Sequence, residues 1–319
     1  MPISEFALIE RYFSRNACKN KSTRLGIGDD CALLSIAEGY ELAVTTDTMV
    51  ENVHFFPGQE PAALGYKLLA VNLSDLAAMG AEPVAVTLAL TLPQADEIWL
   101  SAFAQGFFQL AEQFSVDLIG GDTSSGSLTL TVQAMGQVPV GKAMLRSGAK
   151  PGEGVYLTGT LGDAALGLKK AQGLYQSRFD NAGRRWYYPQ PRVDVGCRIR
   201  EFASACIDIS DGLLLDLGHI LDKSRVGACL DWGSLPFSLP VEDYIQRSED
   251  WMMPLTGGED YELCFTVPPK YWRQLESVAE QLDCTCRRIG IIERQPGLRI
   301  NKHGKCLELA VQGYEHFAS

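Results

Sequence analysis

The chain has 319 residues, 46% hydrophobic and 21% charged, a balance that excludes a disordered protein. Its 28 Lys and Arg against 39 Asp and Glu give a formal charge of −11, which disfavours nonspecific nucleic-acid binding. The length predicts two domains, and no apolar run approaches the roughly 18 residues of a membrane span.

The opening MPISEFALIERYF has acids inside its apolar pattern and no basic leader. Residues 3–13 therefore read as an amphipathic helix and not a signal peptide, and a cytoplasmic protein is expected. LGIGDDCALL (25–34) sets Asp29 and Asp30 behind two glycines, which on its own is turn chemistry. ELAVTTD (41–47) reads as a strand ending at Asp47. PAALGYKLLAVNLSDLAAMG (61–80) spaces Leu64, Leu68, Val71 and Met79 as on a helix, puts Asn72 and Asp75 on the same stripe, and stops at Gly80 and Pro83. VAVTLALTL (84–92) is a strand apolar on both faces, which leaves an interior strand and a barrel strand between two protomers both open. A helix over 95–114, a Gly pair leading to Asp122 in LIGGDTSSG, and a strand over 128–138 follow.

MLRSGAKPGEG (144–154) breaks every periodicity, so the domain boundary is placed there, giving domains 1–143 and 144–319. Beyond it come a strand at 155–160, helices near 162–172 and 192–204, a strand at 206–210 and a helix at 211–222. A strand at 261–267, a helix at 269–283 and a strand at 287–292 complete the pattern. The polar stretch 177–191 reads as a loop or lid. Alternating strands and helices predict an α/β or α+β fold.

Nine cysteines without a CxxC pair argue against a zinc site or disulfide framework and for reduced, mostly buried thiols. Cys284 and Cys286 alternate along an expected strand, and Cys18 sits in the basic CKNK; neither context identifies a reactive thiol.

The acids supply the chemical signal. Asp29, Asp30, Asp47, Asp75, Asp122, Asp208 and Asp211 all read as turn or element-end residues. Each alone could be a cap, as Asp211 could be for the helix after it. Asp75 resists that reading, because burying an unpaired carboxylate costs several kcal/mol. With few Lys or Arg nearby in sequence, a divalent cation is the economical partner, and hard carboxylate oxygens suit Mg²⁺. Metal-bridged phosphate could then approach an acidic site. The glycines of GIGDD, IGGDT and LTGGED are expected to expose backbone N–H groups as phosphate cradles. No GxxxxGK[ST], HRD, DFG or GxSxG element occurs, and His54, His219, His303 and His316 show no ligand spacing. Read alone, His54 fits a half-buried histidine, Glu259 and Asp260 solvated turn acids, and Tyr314 a packing anchor.

Eight collinear blocks decide more than any one of them. GIGDDCALL, TTDTMVENVHF, AVNLSDLAAMGAEP, TLALTLP, GGDTSSG, RSGAKPGEGVYLTGTLGD, CIDISDGLLLDLGHI and LTGGEDYELCFTV run through nearly the whole chain. Together they resemble the thiamine-monophosphate kinase family, in the superfamily of aminoimidazole ribonucleotide synthetase and selenophosphate synthetase. The resemblance implies an N-terminal α/β domain that binds ATP and Mg²⁺ and forms a homodimer β-barrel, and a C-terminal α/β domain that completes the active-site cleft. It also implies ATP and thiamine monophosphate as ligands, and direct in-line transfer of the γ-phosphoryl group to give thiamine diphosphate.

Position by position, Asp30, Thr45, Thr46, Asp47, Asp75, Asp122, Asp208 and Asp211 resemble ligands of several Mg²⁺ ions, with Asp47, Asp75, Asp122 and Asp211 catalytic. Gly121, Asp122, Arg146 and Ser210 resemble ATP contacts; His54, Glu259 and Tyr314 resemble the thiamine-phosphate contacts. Two positions depart from the family pattern: GDTSSG lacks a following basic residue, and Tyr314 stands where Trp is common. The competing expectations are another ATP-dependent member of the superfamily and a nonenzymatic nucleotide-binding module.

Overall fold

A computed structural model of the chain describes residues 5–14, 19–179, 181–282, 284–311 and 313–314, without the side chains of residues 5 and 6. Residues 3 and 4 of the expected first helix, Cys18 and His316 lie outside the described residues. Two compact units are present: Met1–Leu76 with Ala81–Gly141, and Ala77–Gly80 with Lys142–Ser319.

The first unit opens with a short helix α1 (Glu5–Leu8) that widens into a π-turn over Ile9–Phe13. A two-stranded sheet of β1 (Thr23–Leu25) and β2 (Leu33–Leu34) follows. Then come β3 (Tyr40–Val50), α2 (Pro61–Ala78), β4 (Glu82–Leu92), α3 (Glu97–Gln113), β5 (Asp117–Ser125) and β6 (Thr129–Pro139). The four long strands form a sheet in the order β3-β6-β4-β5, antiparallel except for the parallel β4/β5 pair.

Helix α2 is not the one-sided amphipathic element its spacing suggests. Leu64, Leu68, Leu69, Leu73 and Leu76 are all buried, and so are Lys67 and Asn72. Each leucine adds about 1.5–3 kcal/mol of burial. At Gly65 and Gly106 the backbones of α2 and α3 touch: a Cβ on Gly106 would lie 1.9 Å from the Ala62 carbonyl oxygen, and one on Gly65 2.2 Å from that of Phe103. Helix α3 starts at Asp96, whose carboxylate accepts the Ile98 and Trp99 N–H groups, and buries Leu100, Phe103, Phe107 and Leu110 on one face.

Several sequence expectations change here. The strand ending at Asp47 runs on to Val50, the helix over 61–80 stops at Ala78, and the expected Gly turn around Asp122 is the interior of β5. Asp47, Asp75 and Asp122 thus sit within regular elements, not at their ends. Strand β4 is interior, paired on both sides. The exposed apolar residues belong instead to the edge strand β3, where Leu42 and Val44 are about half exposed.

The second unit contains β7 (Gly154–Thr158), α4 (Asp163–Ala171), α5 (Arg184–Tyr187), α6 (Val193–Ile199), β8 (Ala205–Asp208), α7 (Leu213–Ser224) and β9 (Gly227–Asp231). It continues with α8 (Leu239–Ser248), α9 (Met253–Thr256), β10 (Leu263–Val267), α10 (Trp272–Gln281), β11 (Cys286–Glu293), β12 (Gly297–Lys302) and β13 (Lys305–Leu309). Its seven strands lie in the order β13-β12-β9-β11-β7-β10-β8, antiparallel except for β9/β12. The C-terminal ends of β7, β8, β9 and β12 and the starts of β10 and β11 therefore meet at one end of this sheet. Residues Val155, Leu157, Ile207, Leu214, Leu217, Leu230 and Ile289 pack its core.

Strands β9, β12 and β13 and helix α8 were not foreseen. The expected lid over 177–191 is in large part anchored: Trp186 of α5 is buried, as is Ala182. The expectation of mostly buried thiols also fails among the described residues, since Cys31 and Cys306 are exposed and Cys197, Cys229 and Cys286 half-buried. No described helix is long and apolar enough to cross a membrane.

Candidate functional site

In the first unit the acids are placed by α2 and β3. Asn72 donates from Nδ2 to the Leu68 carbonyl at 3.0 Å and accepts the Asp47 N–H at 3.2 Å. One turn further on, Asp75 Oδ2 accepts the hydroxyl of Thr45. The polar stripe of the helix is thus spent on the middle of the strand. Strand alternation puts Thr45 and Asp47 on the face that meets α2 and turns the exposed Thr46 to the other face. Asp75 is half-buried, so the fully buried carboxylate assumed from the stripe is corrected.

Asp122 lies opposite Ala89 in the parallel ladder and is exposed. Gly121 before it has φ +153, and a Cβ there would lie 1.8 Å from the Leu88 carbonyl oxygen. Only glycine fits at this close approach of β5 to β4. Asp29 and Asp30 form an exposed turn in which the Asp29 carboxylate accepts the Asp30 N–H at 2.9 Å. After β3 the chain turns tightly through Asn52 (φ 67), and His54 Nδ1 accepts the Val50 N–H at 3.0 Å. That bond places the proton of a neutral imidazole on Nε2.

In the second unit three segments converge beyond the end of β8. Glu259 N–H donates to the Ser210 carbonyl at 2.7 Å, Tyr261 N–H to Ile209 at 2.8 Å, and Tyr314 N–H to Asp211 at 3.1 Å. Asp208, Ser210, Asp211, Glu259 and Tyr314 are therefore brought together. The Ser210 hydroxyl also donates to Asp211 Oδ2 at 3.2 Å. Holding this knot takes left-handed backbone at Glu259 (φ 70) and Tyr261 (φ 50), a local strain on non-glycine residues. Arg146 is exposed, and its guanidinium is close enough to favour the ionised form of Asp216.

Three acids that sequence reasoning missed or misread support this knot. Buried Asp216 accepts the N–H groups of Asp211 and Gly212, each at 3.0 Å, and so caps α7 from inside. Asp260, read from sequence as a solvated turn acid, is buried and caps α4 by accepting from Gly162 at 2.7 Å and Ala164 at 3.2 Å. Burial pushes both carboxyls up to about 7 despite these donors. Glu262 is fully buried and accepts from Thr158 Oγ1 at 2.5 Å, from Arg192 Nε and Nη2 at 2.7 Å each, and from Arg185. Burial in turn lowers the Arg192 guanidinium.

The phosphate cradles expected from glycine are largely occupied. The Asp30 N–H is bound to Asp29, the Gly121 segment is paired along β4, and the N–H groups of Gly257 and Glu259 go to Met253 and Ser210. Among the described residues, no three His, Cys, Asp or Glu side chains are close enough together to hold a metal ion by themselves.

Residues 28–138 match the model of the AIR synthase related protein, N-terminal domain, and residues 150–303 that of its C-terminal domain. The chain is 46% identical over 324 residues to a thiamine-monophosphate kinase of Escherichia coli strain K12, covering 100% of both chains. It is similar in structure to the thiamine-monophosphate kinase of Stenotrophomonas maltophilia K279a, with TM-score 0.86 and 45% identity, covering 94% of this chain and 98% of that one. A structure of AaThiL complexed with AMPPCP and TMP matches with TM-score 0.78 and 29% identity over 99% of both chains.

Proposed function

Because the chain belongs to the AIR synthase related proteins and, among them, to the thiamine-monophosphate kinases, we propose the following account of its reaction and of the residues that perform it. The enzyme transfers the γ-phosphoryl group of ATP to the phosphate of thiamine monophosphate, giving thiamine diphosphate and ADP. Identity to a kinase of that activity along the whole chain is the observation that carries the reading, and it disfavours a synthetase or a nonenzymatic binding module.

Phosphoryl transfer asks for positioning and charge neutralisation more than covalent chemistry. The acceptor phosphate has its second pKa near about 6 and is largely ionised at neutral pH, so no strong general base is needed. Among this chain's residues, His54 is oriented by Val50 to offer its Nε2–H to the acceptor phosphate. Glu259 and Tyr314 hold the cationic and aromatic parts of thiamine, with Gly121, Asp122, Arg146 and Ser210 on ATP.

Asp30, Asp47, Asp75 and Asp122 of the first unit and Asp208 and Asp211 of the second are the carboxylates for Mg²⁺, with Thr45 as a hydroxyl donor. Their hard oxygens fit that ion, which takes one or two carboxylates at a time and fills its shell with water and phosphate oxygens; no ready-made cluster of three is required. Bound Mg²⁺ supplies neutralisation of phosphate charge. The exposed Leu42 and Val44 on the edge strand β3 support assembly as a homodimer, and the free thiols fit the cytoplasm.

The test is ADP release that depends on thiamine monophosphate. Transfer is a single displacement, because acids committed to a cation are poor nucleophiles. ATP chiral at the γ-phosphorus should give thiamine diphosphate with inverted configuration. Net retention, or labelled protein after incubation with ATP alone, would show a phospho-enzyme.

A further inference from the structure

Helix α7 carries a glycine near its middle, Gly218, that the helix itself does not require. Glycine is a poorer helix former than alanine, and no positive φ calls for it here. What it makes room for is the C-terminal part of the chain. A Cβ at Gly218 would lie 2.5 Å from Val311 Cγ1, 3.2 Å from Cγ2 and 3.5 Å from Cβ, so beyond the helix's own backbone its nearest neighbours all belong to Val311. Leu215, one turn earlier on the same face, meets Gly313: a Cβ there would lie 2.7 Å from Leu215 Cβ and 2.5 Å from the Asp211 carbonyl oxygen. Tyr314 donates its N–H to that same carbonyl at 3.1 Å.

Val311, Gly313 and Tyr314 therefore lie against α7 in the reverse of its own direction, over Gly218, Leu215 and Asp211. Strand β13 ends at Leu309, which packs on the core of the second unit, so Val311 is two residues from a fixed point. Tyr314 comes to rest at the start of α7, beside Ser210, Asp211 and Glu259. Gly218 is buried, whereas Val311 and Tyr314 are 48% and 49% exposed. The contact at Gly218 thus adds little apolar burial. It sets how close to the helix Val311 sits.

We propose that Gly218 is a positioning residue for thiamine monophosphate: carrying no side chain, it lets Val311 come down on α7 so that Gly313 and Tyr314 reach Asp211. Tyr314 matters here as the thiamine contact proposed above, on which this role of Gly218 rests. A methyl group at position 218 would meet Val311 well inside contact distance. Valine is stiff at χ1, and turning Cγ1 away still leaves a methyl at the 3.2 Å position, so residue 311 must lift by a few tenths of an ångström. The lift is passed on to the ring three residues later, and an aromatic contact depends on its offset and distance. Because the obstruction is a side chain and not backbone, α7 keeps its place, and alanine favours the helix. Substrate binding and stability therefore part company at this position.

The experiment measures the KM for each substrate and the melting temperature of the full chain. Gly218→Ala should raise the KM for thiamine monophosphate about three- to tenfold, the worth of one aromatic contact. Its kcat and its KM for ATP should stay within about twofold of wild type, and its melting temperature should be unchanged or higher. Truncating the other side of the contact should undo the effect. In Gly218→Ala/Val311→Ala the new Cβ would face only the Cβ of residue 311, at 3.5 Å, an ordinary contact. The KM should then return to within about twofold of that of Val311→Ala alone. A wild-type KM for thiamine monophosphate in Gly218→Ala, an increase shared equally by ATP, or an increase that Val311→Ala does not reverse overturns the proposal. Tyr314→Ala separates this outcome from the fate of the thiamine contact: it should raise the same KM at least as far as Gly218→Ala does. If Tyr314→Ala leaves that KM unchanged, Tyr314 is no thiamine contact and the role of Gly218 falls with it; if Tyr314→Ala raises it and Gly218→Ala does not, the role of Gly218 alone falls.

Discussion

The two units hold their site residues by different means. In the first, Asp47, Asp75 and Asp122 stand on long regular elements, and Asn72 and Asp75 of α2 are bonded to Asp47 and Thr45 of β3. In the second, Asp211, Glu259 and Tyr314 are held by main-chain bonds between irregular segments, with left-handed φ at two non-glycine residues. Regular elements position a carboxylate with a few local side-chain bonds. Strained loops need buried acids beneath them, and Asp216, Asp260 and Glu262 supply that support. Substitutions in the first cluster should therefore cost rate without stability, and those under the second should cost stability first.

The largest effect on this contrast comes from Asp75→Asn, which removes a charge at nearly constant shape. It should lower kcat by about 10²–10³-fold while leaving the melting curve nearly unchanged. A folded variant that turns over near the wild-type rate at saturating Mg²⁺ would remove Asp75 from the machinery.

Glu262→Gln should show the opposite pattern. It strands two guanidiniums that are largely buried, and a urea melt should report a loss of about 3–5 kcal/mol. A loss below about 1 kcal/mol would place the support of the second cluster elsewhere.

Asp260 sharpens the comparison through pH. Its folded-state carboxyl at about 7 lies above the unfolded value of roughly 3.9, so between these the native state keeps a proton that the unfolded chain has released. Its contribution to stability is complete below about pH 4 and is lost as pH rises toward 7. Asp260→Asn keeps an acceptor for the Gly162 N–H and carries no charge. The wild-type melting temperature minus that of the variant should fall steadily across this window; a constant difference would mean that Asp260 is ionised throughout.

Smaller effects resolve the first cluster itself. His54→Ala should raise the KM for thiamine monophosphate about tenfold, the loss of one hydrogen bond to a charged group, and the KM for ATP far less. Equal effects would make His54 a turn residue only. Thr45→Val should lower turnover, whereas Thr46→Val, on the opposite face of β3, should change stability and rate little, within about 0.5 kcal/mol. The reverse order would show that the strand presents its other face to the substrates.

The same contrast explains what sequence could reveal. Strands β3 and β4 and helices α2 and α3 are legible because apolar spacing records burial, and the aspartates on them stand out against that spacing. Strand β5 is not, since DLIGGDTSS has the composition of a turn and is a strand because Gly121 lets it close on Leu88. The supporting acids are harder still. Asp216, inside the apolar LLLDLGHIL, left a trace that could have been followed. Asp260 finds Gly162 at a separation of 98 residues, and Glu262 finds Arg192 at 70, distances over which a single sequence holds no pairing signal.

The anchored stretch after α4 has a consequence for proteolysis. It contains an Arg184–Arg185 pair, which on paper is an open invitation to trypsin. Yet Arg185 is clamped on Glu262 and the following Trp186 is buried, so cutting there requires the segment to open first. Arg178 reaches Asp243 with its own side chain still 70% exposed. Limited digestion of the native protein should nick the chain after Arg178 and spare the dibasic pair, until loss of the Glu262 carboxylate reverses the order.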